Sequence, residues 1–325
     1  MAAIPPDASI AVLKSLSQEE INFLLAAVEE EGGTLRPHFD FTKDLHFPQI
    51  EGKMVSELKH VIENLIAKGL IDQKLSDRLI ACPECGSHLI LTYYTCPFCG
   101  SRNVLKENLH EHFICGAISR ESTVKQGDKL VCPVCKREFK ALGKDYSIVG
   151  AWFECEDCKK TFEAPVIMHK CLKCGLEFDV RGAKYDHVVA YSPTPLGLEV
   201  ANRLKLMKAI SEVGASSGFE VEWFGTMKGV SGIIHEFSLL IKKQDLTIAV
   251  DIASNGNRGL IGLTATLAKV YDTPTVKPVV AIIPKAPAET AALAARYNIV
   301  VVEGDTAEVI KERFADVLKR WTGSS

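Results

Sequence analysis

The 325-residue sequence contains no run approaching 18 apolar residues, so no membrane-spanning helix is expected. It has no surplus of positive charge. Its 38 Lys+Arg against 41 Asp+Glu give a net −3, and the chain as a whole is not a basic polyanion binder. The opening stretch MAAIPPDASI has neither a basic n-region nor an apolar h-region, which argues against a secretory signal and for a cytoplasmic protein. Cysteine is missing before Cys82 and after Cys174, yet 11 cysteines crowd the window between. An odd number cannot pair completely as intramolecular disulfides, and clustered cysteines in a reducing compartment read as metal ligands. With 47% hydrophobic and 24% charged residues the chain is not disordered throughout, and its length suits two or three domains.

The cysteines form five C-x-x-C hooks: Cys82/Cys85, Cys96/Cys99, Cys132/Cys135, Cys155/Cys158 and Cys171/Cys174. Cys115 is left over, with His112 three residues before it making a sixth hook; His110 is the rival ligand, at a spacing that does not suit a hook. Two intervening residues let a tight turn aim both donors at one ion. Proline after the first cysteine fixes φ, and glycine after the second donor (Gly86, Gly100, Gly116, Gly175) admits the positive φ such a turn needs. Twelve ligands make three tetrahedral sites, so three Zn²⁺ per chain are expected, in closed structural sites; iron in a rubredoxin-like knuckle is the alternative. Sequential pairing is simplest: Cys82/Cys85/Cys96/Cys99, then His112/Cys115/Cys132/Cys135, then Cys155/Cys158/Cys171/Cys174. Each would close over a local hairpin such as 89–93. Residues 82–174 are formally +2, and eleven thiolates with three Zn²⁺ would bring them to near −3. Lys136, Arg137, Lys159 and Lys160 are therefore expected to neutralise thiolates rather than form a nucleic-acid patch.

Residues 1–81 read as a helical module. Ser17 with Glu20 forms a capping-box pattern ahead of Ile21, Leu24, Leu25 and Val28. A second periodic run extends from Met54 to Ile66 and stops at Gly69, and Leu70-Ile71 follow as a strand. That ending resembles the last helix and wing strand of a winged helix-turn-helix. The module carries a net −5, which favours protein contacts over DNA. Residues 186–325 alternate strands (220–224, 235–241, 247–252, 279–283, 299–302) with helices (195–213, 259–271, 287–297, 306–321), an α/β pattern.

The series Cys82-Pro-x-Cys85-Gly-Ser, Cys96-Pro-x-Cys99-Gly-Ser, His112-Phe-x-Cys115-Gly, Cys132-Pro-x-Cys135 and Gly143-x-Asp145-Tyr146 resembles the thaumarchaeal output domain, a multi-zinc module of signalling and regulatory proteins, over roughly 70–180. The family has two adjacent histidines before the third hook; Glu111 replaces the first here. The resemblance implies a regulatory role rather than a reaction. Residues 235–240 followed by 248–253 resemble the restriction-endonuclease-like fold, in which one strand carries a metal-binding Asp and the next carries Asp/Glu-x-Lys. Ser238 stands where that Asp belongs, Asp251 keeps the acid, and Ala253 replaces the lysine. The resemblance therefore implies a catalytically inactive domain. Asn255, Asn257 and Arg258, in the loop after Asp251, are candidates for holding a phosphate or carboxylate.

The expected architecture is a winged helix (1–81), zinc ribbons (82–185) and a degenerate restriction-endonuclease-like α/β domain (186–325). The expected function is that of a non-enzymatic zinc-binding regulator or adaptor in transcription or signal output. It would bind DNA or a regulatory protein, and a homo-oligomer is allowed. The alternative is a metal-dependent DNA nuclease whose active site has shifted to Glu199 or Glu212 with Glu236 and Asp251.

Overall fold

The computed structural model describes residues 6–253, 259–282, 286 and 288–322. Asn255, Asn257 and Arg258 lie outside the described residues. The chain divides into two compact units, and the division does not follow the three regions above. Met1–Arg36, Phe47–Lys74 and Ala190–Ser325 form one unit; Pro37–His46 and Leu75–Val189 form the other.

In the first unit Ser17 caps the helix Gln18–Glu29 as its sequence requires. Its hydroxyl accepts from Glu20 N at 3.2 Å, and the Glu20 carboxylate accepts from Ser17 N at 2.7 Å. The buried face carries Phe23, Leu24 and Ala27. The next helix, Lys59–Ala67, begins later than its apolar pattern suggests. The Glu57 carboxylate accepts from Met54 N at 2.7 Å, holding 54–58 in a turn. Gly69, at φ +68°, ends the helix. The long helix Pro195–Ser216 is capped by Thr194, which accepts from Gly197 N at 3.0 Å and donates to Gly69 O at 2.7 Å. Phe47 and Tyr191 meet Phe23 edge-on at 5.4 and 5.7 Å and fix this helical layer.

Beside Pro195–Ser216 lies a five-stranded sheet in the order Glu220–Trp223, Leu239–Lys243, Leu246–Ala253, Lys277–Ile282, Val300–Glu303. The first three strands are antiparallel neighbours. The last two join in parallel through the helices Gly259–Asp272 and Ala288–Arg296. Apolar runs buried on both faces, such as Val279–Ile282, suit the parallel part. The strand expected at 235–241 is in fact two. Ile234–Glu236 pairs with Thr226–Lys228, and the ladder restarts at Leu239. The break coincides with a contact 13 positions away: Ser238 N donates to the Asp251 carboxylate at 3.1 Å instead of to a neighbouring strand.

The second unit is β-rich and lacks a single large core. Its buried apolar groups form three small clusters, and each contains cysteine: Cys82 and Cys171 with Phe178; Cys96 and Cys155 with Phe153 and Phe162; Cys132 with Val124 and Phe139. Strand Ile90–Thr95 does not close a local hairpin. It pairs antiparallel with Val166–Cys171, far away in sequence. Val104–His112 pairs likewise with Tyr146–Cys155, through a bulge between Ile148 and Gly150. The pair Ile71–Ala81 and Lys184–Pro193 adjoins the first and last hooks in sequence.

Candidate metal centres and the C-terminal cleft

Every hook is built alike. The amide of the residue after the second donor bonds back to the carbonyl of the first, from Gly116 N to His112 O at 2.7 Å to Gly86 N to Cys82 O at 3.0 Å. That residue takes a left-handed φ in all six hooks. Glycine supplies it four times; Lys136 (φ +64°) and Lys159 (φ +59°) adopt it despite their Cβ atoms.

The hooks come together as three tetrads of donors that could hold a metal ion. One is Cys82/Cys85/Cys171/Cys174, the second Cys96/Cys99/Cys155/Cys158, the third His112/Cys115/Cys132/Cys135. Only the third follows the sequential pairing. In the other two, hooks join across 86 and 56 positions, because the strand pairs 90–95/166–171 and 104–112/146–155 fold the chain back on itself. Identical knuckles carry no information about their partners; long-range strand pairing decides. The tetrads are therefore nested, the third inside the second and the second inside the first.

The spacing fits an ion. Zn–S bonds of about 2.3 Å place tetrahedral sulfurs about 3.8 Å apart. The closest cross-hook sulfurs lie 3.6 Å apart for Cys82–Cys174, Cys85–Cys171, Cys99–Cys155 and Cys115–Cys132, and 3.7 Å for Cys96–Cys158. A disulfide would need about 2.05 Å. His112 presents Nδ1, 3.3 Å from Cys115 Sγ and 3.2 Å from Cys135 Sγ. His110 is buried on the same side of its strand but belongs to no tetrad, and it lies beside Phe139 and Tyr146.

The hook backbones prepare thiolates. Burial pushes the Cys132 thiol up, but the amides of Cys135 and Val134 outweigh it and bring the thiol down to about 6. Cys82 falls to about 7 by the same balance, with the amides of Cys85 and Glu84. The amides of Cys158 and Asp157 lower Cys155 to about 7. In Cys174 the amide of Leu176 works downward, but burial and the thiols of Cys82, Cys171 and Cys85 push the group up to about 12. One thiolate per site forms readily and opposes the next, and a bound cation removes that repulsion.

Asp44 is a supporting residue that no sequence signal marks. Its carboxylate accepts from Ser87 Oγ at 2.9 Å and His88 N at 3.0 Å, and faces His88 Nδ1 at 2.9 Å, fixing the segment just after the first hook. His169 is buried, with Nδ1 2.9 Å from Thr92 Oγ1, and burial lowers its pKa.

In the other unit a cavity of about 380 Å³ is lined by Ile10, Lys14, Glu236, Ser238, Asp251 and Lys269, among others. Asp251 is fully engaged. One oxygen accepts from Ser238 N; the other accepts from Thr266 Oγ1 and Lys269 Nζ, both at 2.9 Å. Lys14 pairs with Glu236. Lys269 escaped the sequence reading because it sits on the following helix, 18 positions from the acid it serves. Glu199 and Arg203 are buried on Pro195–Ser216, and Arg203 donates to Ile252 O at 2.8 Å. Glu212 instead pairs with Lys311 and lines a different cavity.

No helix among the described residues is long and apolar enough to cross a membrane. No curated protein matches the chain. Two solved structures are distantly similar. One is titled a protein of unknown function, AF1548, with 16% identity and a TM-score of 0.28, covering 33% of this chain and 64% of that one. The other is Can2 from Sulfobacillus thermosulfidooxidans in complex with cyclic tetra-adenylate, with 7% identity and a TM-score of 0.32, covering 42% and 40%. Neither likeness is close enough to bear on fold or function. The family described as thaumarchaeal output domain 1 matches residues 14–192, a span holding all three tetrads and more than half of the 325 residues, and the chain belongs to that family.

Proposed function

We propose that the protein is a non-enzymatic, zinc-binding regulator or adaptor in transcription or signal output, acting through a protein or nucleic-acid partner from the cytoplasm. The observation that carries this reading is the closure of the tetrads. Each has four protein donors and no open position, which is the form of a structural site rather than a catalytic one. Sulfur-rich tetrahedral sets with one imidazole suit Zn²⁺, at three ions per chain. The helices of the first unit with the strand from Ile71 support a winged-helix reading, and the acidity of residues 1–81 favours a protein partner or self-association. The order of helix, antiparallel strands, crossover helix and parallel strand supports a restriction-endonuclease-like reading of the C-terminal part. Its cleft is read as non-catalytic because Asp251 spends both oxygens on Ser238, Thr266 and Lys269.

One observation favours the alternative, a metal-dependent nuclease with a shifted site. Lys269 brings to Asp251 the ammonium group that Ala253 cannot supply. The deciding experiment incubates the full-length protein with plasmid and single-stranded DNA in Mg²⁺ or Mn²⁺. No cleavage is expected. Cleavage that disappears in both Asp251→Ala and Lys269→Ala would establish the alternative.

A further inference from the structure

The three tetrads are linked as successive closures of one folded-back chain. The strand pair 104–112/146–155 joins the third tetrad to the second, and 90–95/166–171 joins the second to the first. Closing the third tetrad spans 17 positions, the second 56 and the first 86. Loop closure becomes more costly with length, so the first tetrad is the most expensive to form alone and gains most when the others are already closed. A separate observation points the same way. The first tetrad exposes two thiols, Cys85 and Cys174, whereas each of the others exposes one and keeps its remaining donors buried or half-buried. The third is the best protected, with His112 fully buried and packed 4.7 Å from the Phe139 ring, itself stacked on Tyr146.

We propose that this unit is a metal zipper that opens from its outer end, and that Cys82/Cys85/Cys171/Cys174 is its zinc-responsive site. When zinc falls, this tetrad empties first while the other two stay loaded. The segments it frees are 75–81 and 184–189, the parts of the paired strands 71–81 and 184–193 that belong to this unit, at the two ends of its stretch 75–189. Zinc availability is thereby read at the two ends of the stretch 75–189, without unfolding the inner sheet. The proposal rests on the zinc reading above.

Coupling between sites follows from the nesting. With the second tetrad closed, the first has only about 22 residues left to close, those of 86–95 and 159–170; with the second open and the third closed it has about 61. Losing the second tetrad therefore weakens the first about fivefold, before lost strand pairing is counted. Losing the first leaves the release of the others unchanged, since they normally empty after it.

The test strips the zinc-loaded full-length protein with increasing chelator, following zinc release by a colorimetric indicator and backbone protection by hydrogen exchange. Three phases are expected, the first exposing amides of 75–81 and 184–189 while 104–112 and 146–155 stay protected. Cys174→Ser should remove the first phase and leave the other two at their wild-type chelator concentrations. Cys158→Ser should remove the middle phase and move the first to about fivefold lower chelator. Simultaneous release of all three ions, or release from the His112 tetrad first, overturns the zipper while leaving the zinc reading intact. Protein that is folded but takes up no zinc overturns the zinc reading itself.

Discussion

At the residue scale, Glu20 shows how one side chain can serve two purposes. It completes the capping box of its own helix and accepts both contacts of Lys68 Nζ at 2.8 Å, while only 3% of its side chain is exposed. Burial works to raise its pKa, but the Lys68 and Ser17 bonds outweigh that, and the carboxyl sits below its usual 4.5. A depressed carboxylate contributes stability that is fully present above about 4.5 and lost as the pH falls through the lower folded value. Glu20→Ala is expected to cost about 2 kcal/mol near neutral pH, from the lost cap and the unpaired ammonium. Urea denaturation at about pH 7 and again at about pH 3 checks it: the gap between variant and wild type should narrow on acidification. The capping box was legible because its partners lie three residues apart. Lys68, 48 positions away, was not.

At the scale of elements, the joint between helix Lys59–Ala67 and helix Pro195–Ser216 is set by Gly197. A Cβ there would sit 2.0 Å from Leu70 O and 3.4 Å from Leu24 Cδ1. Helix propensity alone would make Gly197→Ala stabilising by up to about 1 kcal/mol. The backbone clash reverses the sign, and a loss of about 3 kcal/mol is expected, since a carbonyl cannot move aside as a side chain can. Gly214→Ala, whose Cβ would meet Val221 Cγ2 at 3.0 Å, serves as the comparison in the same helix and should be much milder. Thermal melts of the two variants separate the effects; equal melting temperatures would remove the close approach as the explanation. The α/β part was readable at this scale because its strands are short apolar runs between turn residues. The exception, the break at Phe237–Ser238, depends on the carboxylate of Asp251, which is 13 positions from Ser238, and no local pattern announces it.

At the scale of the whole molecule, the two units differ in what holds them together. The unit with the α/β sheet fully buries many large side chains, among them Phe23, Phe47, Leu206, Met207, Phe237 and Phe314. The other has three small clusters, each containing cysteine, so metal binding is expected to supply much of its folding energy. Three zinc ions per chain are expected by elemental analysis. Exhaustive chelation should abolish exchange protection across 75–189 while leaving the α/β sheet protected. Fewer than three equivalents in a fully loaded, folded sample would sink the three-site count, and an unaltered exchange pattern after complete zinc removal would refute metal-dependent folding.

The sequence by itself determined the candidate metal donors, because a hook is a local object: two donors, a tight turn and a residue tolerant of positive φ all lie within five consecutive positions. It also determined most strands and helices of residues 195–322, where periodicity and caps act within one element. Tertiary structure alone decided which hooks come together as a tetrad. Any two C-x-x-C hooks are chemically equivalent, and the choice falls to strand pairs that bring Cys85 to Cys171 and Cys99 to Cys155. It likewise decided that Lys269 meets Asp251 and that the N-terminal helices form one unit with the C-terminal sheet. Each of those depends on contacts between residues far apart in the chain, whose energy is absent from any local window and is realised only once the backbone has folded back.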